Sequence, residues 1–75
     1  MKAITTRFLG PTATKGARIT ASDEDGNRVT IPYQNSPDTV DMHRHAAMVL
    51  CEKMGWGTAI IGGSIKNGYV WVFLP

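Results

Sequence analysis

Cysteine is almost missing from this chain. Cys51 stands alone, so there is no internal disulfide and no second thiolate for a cysteine-based zinc site, which favours a reducing compartment. Long apolar runs are missing too: nothing approaches the ~20 residues of a membrane span. The opening stretch MKAITTRFLGP has no continuous apolar core of an export signal, and no lipidation motif follows. The expectation is a cytoplasmic protein without membrane contact. Charge is sparse, at 19% of residues, with a net +2 that suits an acidic or nucleic-acid partner without requiring one. Internal repeats and low-complexity tracts are absent.

What is present is ordinary for a folded domain. A 43% hydrophobic content argues against disorder, and 75 residues make one domain, 1–75, near the size where a lone core becomes marginal.

The stretch from Ser36 to Trp56 is the one segment with a helical period. Ser36 suits the N-cap, Pro37 the first turn, and Asp38 and Asp41 the positive end of the helix dipole. Lys53 falls in the last turn, Gly55 is a left-handed terminator and Trp56 its hydrophobic partner. Val40, His43, Ala47, Leu50, Cys51 and Met54 recur at three- and four-residue steps on one face. Met42 and Val49 lie off that stripe, with Met48 at its flank.

The rest of the chain alternates. Lys2 to Leu9 reads as a strand with Ile4, Thr6 and Phe8 on one side. Residues 17–22 alternate with Ala17, Ile19 and Ala21 inward, and 27–33 return with Val29, Ile31 and Tyr33 inward. Asp25-Gly26 between them is a hairpin signal. Pro32 cannot donate to a ladder, so this end of the strand is at a sheet edge or already leaving the sheet. Residues 58–61 form a short strand loosened by Gly62-Gly63, a bulge or a close approach of backbone. Asn67-Gly68 then turns the chain into YVWVFL, apolar on both sides. Such a strand is central in its sheet or has a face covered from outside the monomer. The sum is an α+β domain: a two-layer βββαββ chain with an antiparallel five-stranded sheet and one helix packed on one face.

Catalytic constellations fail on geometry. His43 and His45 are two apart and diverge on a helix, so no metal is expected. Cys51 and His43 are ~12 Å apart along the axis, too far for a nucleophile pair. Lys15-Gly16 leads into a strand rather than a helix, unlike a phosphate loop. Asp23, Glu24 and Asp25 make a solvated hairpin tip, not a calcium loop. The expectation is a non-enzymatic protein with no cofactor and no small-molecule substrate.

Two surfaces remain. If Ile4, Ile19 and Val29 face the helix, then Arg7, Arg18 and Arg28 face away, one per strand, alongside Thr5, Thr20 and Thr30. The tail hairpin adds either Tyr69, Trp71 and Phe73 or the intervening Val70 and Val72 to that open face. The amphipathic rings, Tyr69 and Trp71 above all, are the better candidates, with Lys15 and Lys66 extending it from loops. Guanidinium groups beside flat rings suit single-stranded nucleic acid. The plainer account is a solvated sheet face with the rings of the tail in the core, since strand period alone produces the alternation. The second surface is apolar: the doubly greasy final strand, with Met42, Met48 and Val49 as further oligomer contacts.

The segments MKAITTRFLGPTATKGARI, CEKMGW and KNGYVWVFLP resemble small uncharacterised proteins of bacteria, phages and plasmids. That resemblance implies a bacterial or mobile-element setting, where small proteins often bind a host macromolecule, inhibitors of host defence included. It carries no activity and no site residues. The expected function is macromolecule binding: a protein partner, as inhibitor or homodimer through the open face, or alternatively single-stranded nucleic acid.

Overall fold

A computed structural model describes residues 2–14, 16–33 and 39–74. Its elements are β1 (Ala3–Leu9), β2 (Arg18–Asp23), β3 (Arg28–Pro32), α1 (Thr39–Met54), β4 (Ile60–Ile65) and β5 (Gly68–Phe73). The five strands form one antiparallel sheet in the order β3-β2-β1-β5-β4, so the α+β, βββαββ expectation holds. Helix α1 carries the chain from one edge of the sheet to the other. Strand β5 then returns to the inside, beside β1.

Local chemistry fixes the turns. In the β2–β3 turn the Asp23 carboxylate accepts from the backbone N–H of Asp25 at 3.0 Å and of Asn27 at 2.9 Å, and from the Asn27 amide at 2.8 Å. Gly26 supplies the positive φ of 90° there. Helix α1 ends on Gly55 at φ 74°, with the Trp56 N–H reaching back to the Cys51 carbonyl at 2.8 Å. The expected cap Ser36-Pro37-Asp38 lies outside the described residues.

The helix covers one side of the sheet. Ile4, Ile19, Ala21 and Trp71 from the strands meet Met42, Ala46, Ala47, Leu50 and Cys51 from α1 in the buried core. The contact face of α1 is rotated toward Met42 relative to the expected stripe. Ala46 and Ala47 are both fully buried, so the buried face of the helix is broad and reaches Met42. Met42 is therefore core and not an oligomer contact, while Met48 and Val49 are half-buried flanks.

Strand β4 also differs from expectation. It starts at Ile60 rather than at residue 58 and runs straight through both glycines, with Gly62 opposite Trp71 and Gly63 opposite Val70. There is no bulge. The close approach is real at Gly62, where an added Cβ would lie 2.3 Å from the Trp71 ring. The indole lies over that position and has the Arg44 guanidinium 5.5 Å from its centroid.

Candidate interaction surface

The sheet's second side has no described element over it. Register places its residues in rows. One row runs Arg28, Ser22, Thr5, Val70, Gly63; the next runs Thr30, Thr20, Arg7, Gly68, Ile65. Flanking rows hold Pro32, Arg18 and Leu9 at one end and Ala3, Val72 and Ile61 at the other. The bare side is thus split into two halves. Arginine, threonine and serine occupy β1, β2 and β3, while valine and isoleucine occupy β5 and β4.

Electrostatically the polar half has one sign. Arg7, Arg18 and Arg28 share this side with no carboxylate at any of its strand positions. Two aspartates of the β2–β3 hairpin are engaged elsewhere: Lys2 Nζ sits 3.6 Å from both Asp23 and Asp25. The Asn27 side-chain hydrogen bond, helped by the Asn27 and Asp25 N–H groups and by Lys2, holds the Asp23 carboxyl below its usual value against its shielding from water. Arg18 is half-buried, and its buried Nε has no hydrogen-bond partner.

Tyr69 and Trp71 are not on this side, which corrects the expectation that they would join the arginines. Both point under the helix, and Trp71 is 1% exposed. Its indole N–H donates to Thr6 Oγ1 at 3.1 Å, a bond available only on the covered side. Thr6 is fully buried and is the hub of a small network. Its hydroxyl lies 2.8 Å from His43 Nδ1 and 3.4 Å from the Tyr69 carbonyl. One proton and two lone pairs satisfy all three contacts when Trp71 and His43 donate and Thr6 donates onward to Tyr69. Burial pushes the His43 imidazole below its ordinary value of 6.5. Beside it a shallow groove of about 500 Å³ is lined by Phe8, Thr39, His43, Ser64, Asn67 and Tyr69, among others.

Comparison with protein-family models, curated proteins and solved structures found no match. Function must therefore be read from the geometry.

The bare side brings together Arg7, Arg18 and Arg28 from the expected set. Lys66 is exposed in the β4–β5 turn, and Lys15 lies outside the described residues. Among the described residues no group of three or more His, Cys, Asp or Glu could hold a metal ion. No described helix is long and apolar enough to cross a membrane. Sequence reasoning missed Thr6 as a hub, although its inward position between Ile4 and Phe8 was the available signal. It also missed Ile61 and Ile65, which are 55% and 38% exposed on the bare side of β4.

Proposed function

We propose that this protein is a non-enzymatic protein-binding module of a bacterial or mobile element, and that the bare side of its sheet is the recognition surface. The carrying observation is the division of that side into a cationic half and an aliphatic half, with no described element laid across it. Charge complementarity selects the occupant: a protein surface whose apolar strip is bordered by carboxylates. An inhibitor that masks an acidic surface of a larger complex fits this description.

Single-stranded nucleic acid is the lesser reading. Arginines suit phosphate, but base binding draws on rings, and Tyr69 and Trp71 are turned under the helix. The test is photo-crosslinking in cells with a benzophenone amino acid at Thr20, on the bare side, and at Asp41, on the exposed helix. The expected result is a discrete adduct with a second protein at Thr20 alone, lost when Arg7→Glu and Arg18→Glu are introduced together. Absence of any arginine-dependent adduct overturns the reading. So does salt-sensitive retention of oligothymidylate that the same two substitutions abolish, which would hand the surface to nucleic acid.

A further inference from the structure

The two edges of the sheet are treated differently. Strand β3 is short, carries Arg28, ends in Pro32, and has its Arg28 carbonyl taken by Lys53 Nζ at 3.1 Å. Those are the usual devices that stop one sheet edge from joining another. Strand β4, IIGGSI, has none of them: no charge, no proline, no bulge, and among the described residues no strand on its outer side. Helix α1 does not reach it either, since five of its six residues are exposed.

The sequence of β4 is also symmetric in size. Outward from Gly63 the chain reads a small residue and then isoleucine in both directions: Gly62 and Ile61 one way, Ser64 and Ile65 the other. We propose that β4 pairs antiparallel with β4 of a second copy, with Gly63 opposite Gly63. In that register Ile61 of each chain faces Ile65 of the other, and Gly62 faces Ser64.

Directly opposed residues in an antiparallel pair point to the same side. The bare sides of the two copies therefore become one continuous surface, and both helices lie on the other. The four exposed isoleucines of the pair close over the seam, flanked by Val70 and Val72 of each copy. No like charges meet, because β4 has none. The arrangement is isologous and closes on itself, so it stops at two chains. It joins two ends of the sheet that a monomer leaves unpaired, giving ten strands with the arginines at both wings.

This deepens the bare-side reading by doubling the surface, and the two fail separately. A monomer that still gives the arginine-dependent Thr20 adduct sinks the dimer alone. A dimer without that adduct sinks the bare-side reading alone.

The test starts with sedimentation equilibrium across the micromolar to millimolar range. The expected mass approaches twice the 8.2 kDa of the chain. Ile61→Lys should return it to the single-chain mass with unchanged circular dichroism. Adding Ile65→Glu should restore the dimer, because the lysine then faces the glutamate of the other copy. Gly63→Cys gives a second, register-specific readout. A Cβ at that position meets nothing within 4 Å, so the substitution fits the fold. Under copper–phenanthroline oxidation it should form a covalent dimer several-fold faster than Thr30→Cys on the opposite edge. Cys51 is fully buried and does not compete. A single-chain mass throughout overturns the proposal. A dimer in which Gly63→Cys links no faster than Thr30→Cys, or in which the charge pair fails to restore what Ile61→Lys removed, overturns the register.

Discussion

Replacing Thr6 with valine is the sharpest probe of what holds this fold together. Valine keeps the shape of threonine and removes only the hydroxyl. That hydroxyl is fully buried and serves His43 Nδ1 at 2.8 Å and Trp71 Nε1 at 3.1 Å. Both nitrogens lie inside, on residues 2% and 1% exposed, where water does not replace the lost partner. Each stranded group costs about 1–3 kcal/mol, and the hydroxyl's own relief from burial returns part of it. The expected net loss is about 2–4 kcal/mol, a large share of the stability of a small domain. At about 4–8 °C per kcal/mol the midpoint falls by roughly 8–32 °C.

Urea unfolding followed by tryptophan fluorescence and far-UV circular dichroism measures the loss, with an unchanged slope showing that both end states are intact. Trp71→Phe closes the double-mutant cycle. Without the indole N–H, removing the hydroxyl strands one group fewer, so Thr6→Val should cost about 1–3 kcal/mol less in that background. Thr6→Ser retains the hydroxyl and should lose only about 1 kcal/mol for the methyl group. A Thr6→Val cost below about 0.5 kcal/mol, or strict additivity with Trp71→Phe, refutes the network as a structural element.

Stability should also depend on pH through His43. Its folded-state value is depressed, so just below pH 6.5 the unfolded chain binds more protons than the folded one. Folding free energy from this group is present in full above pH 6.5 and declines by up to about 1.4 kcal/mol per unit as the pH falls toward the folded-state value. Urea titrations at pH 7 and pH 5 check this; equal midpoints would remove it, and His43→Gln should flatten the curve. A second decline belongs to Asp23, whose carboxylate contribution is present above pH 3.8 and lost as the pH falls through its lower folded-state value. The adjacent glycines of β4 should respond oppositely to alanine. Gly62→Ala places a Cβ 2.3 Å from an indole that is 1% exposed, and should cost about 1–3 kcal/mol or more. Gly63→Ala meets nothing and should be neutral or slightly stabilising in dilute solution. Equal responses would refute the placement of Trp71.

The layer architecture was legible in the sequence because its carriers are local. The alternation of Ile4-Thr6-Phe8, Ile19-Ala21 and Val29-Ile31 defines three strand faces, and the helix stripe defines the element that covers them. Asp25-Gly26 and Asn67-Gly68 mark the β2–β3 and β4–β5 hairpins, and Asn67 takes the left-handed φ of 69°. The full length of β4 was not legible, because two glycines weaken every strand signal. What keeps them in the sheet is tertiary: β5 pairs along the whole of IIGGSI. The width of the helix face was hidden for a similar reason. Alanine carries little periodic weight, yet Ala46 is fully buried in the contact between helix and sheet.

The side on which Trp71 lies decides everything proposed about the surface, and hydrophobicity alone cannot choose it in YVWVFL. Register can. With Ile65 opposite Gly68 across the turn, Trp71 falls opposite Gly62, the position on the outer strand that can lie under a ring without its own Cβ in the way. On the inner neighbour, Trp71 falls opposite Ile4, one step from Thr6, which offers the buried acceptor that an indole N–H requires. A bare-side tryptophan would have left Thr6 and His43 to find other partners and a hole over Gly62. The ring therefore belongs to the core, and the residues beside it in the chain, Val70 and Val72, are turned out. The exposed chemistry of this half of the sheet is aliphatic, continuous with Ile61 and Ile65, and suited to another apolar protein surface rather than to a stack of bases.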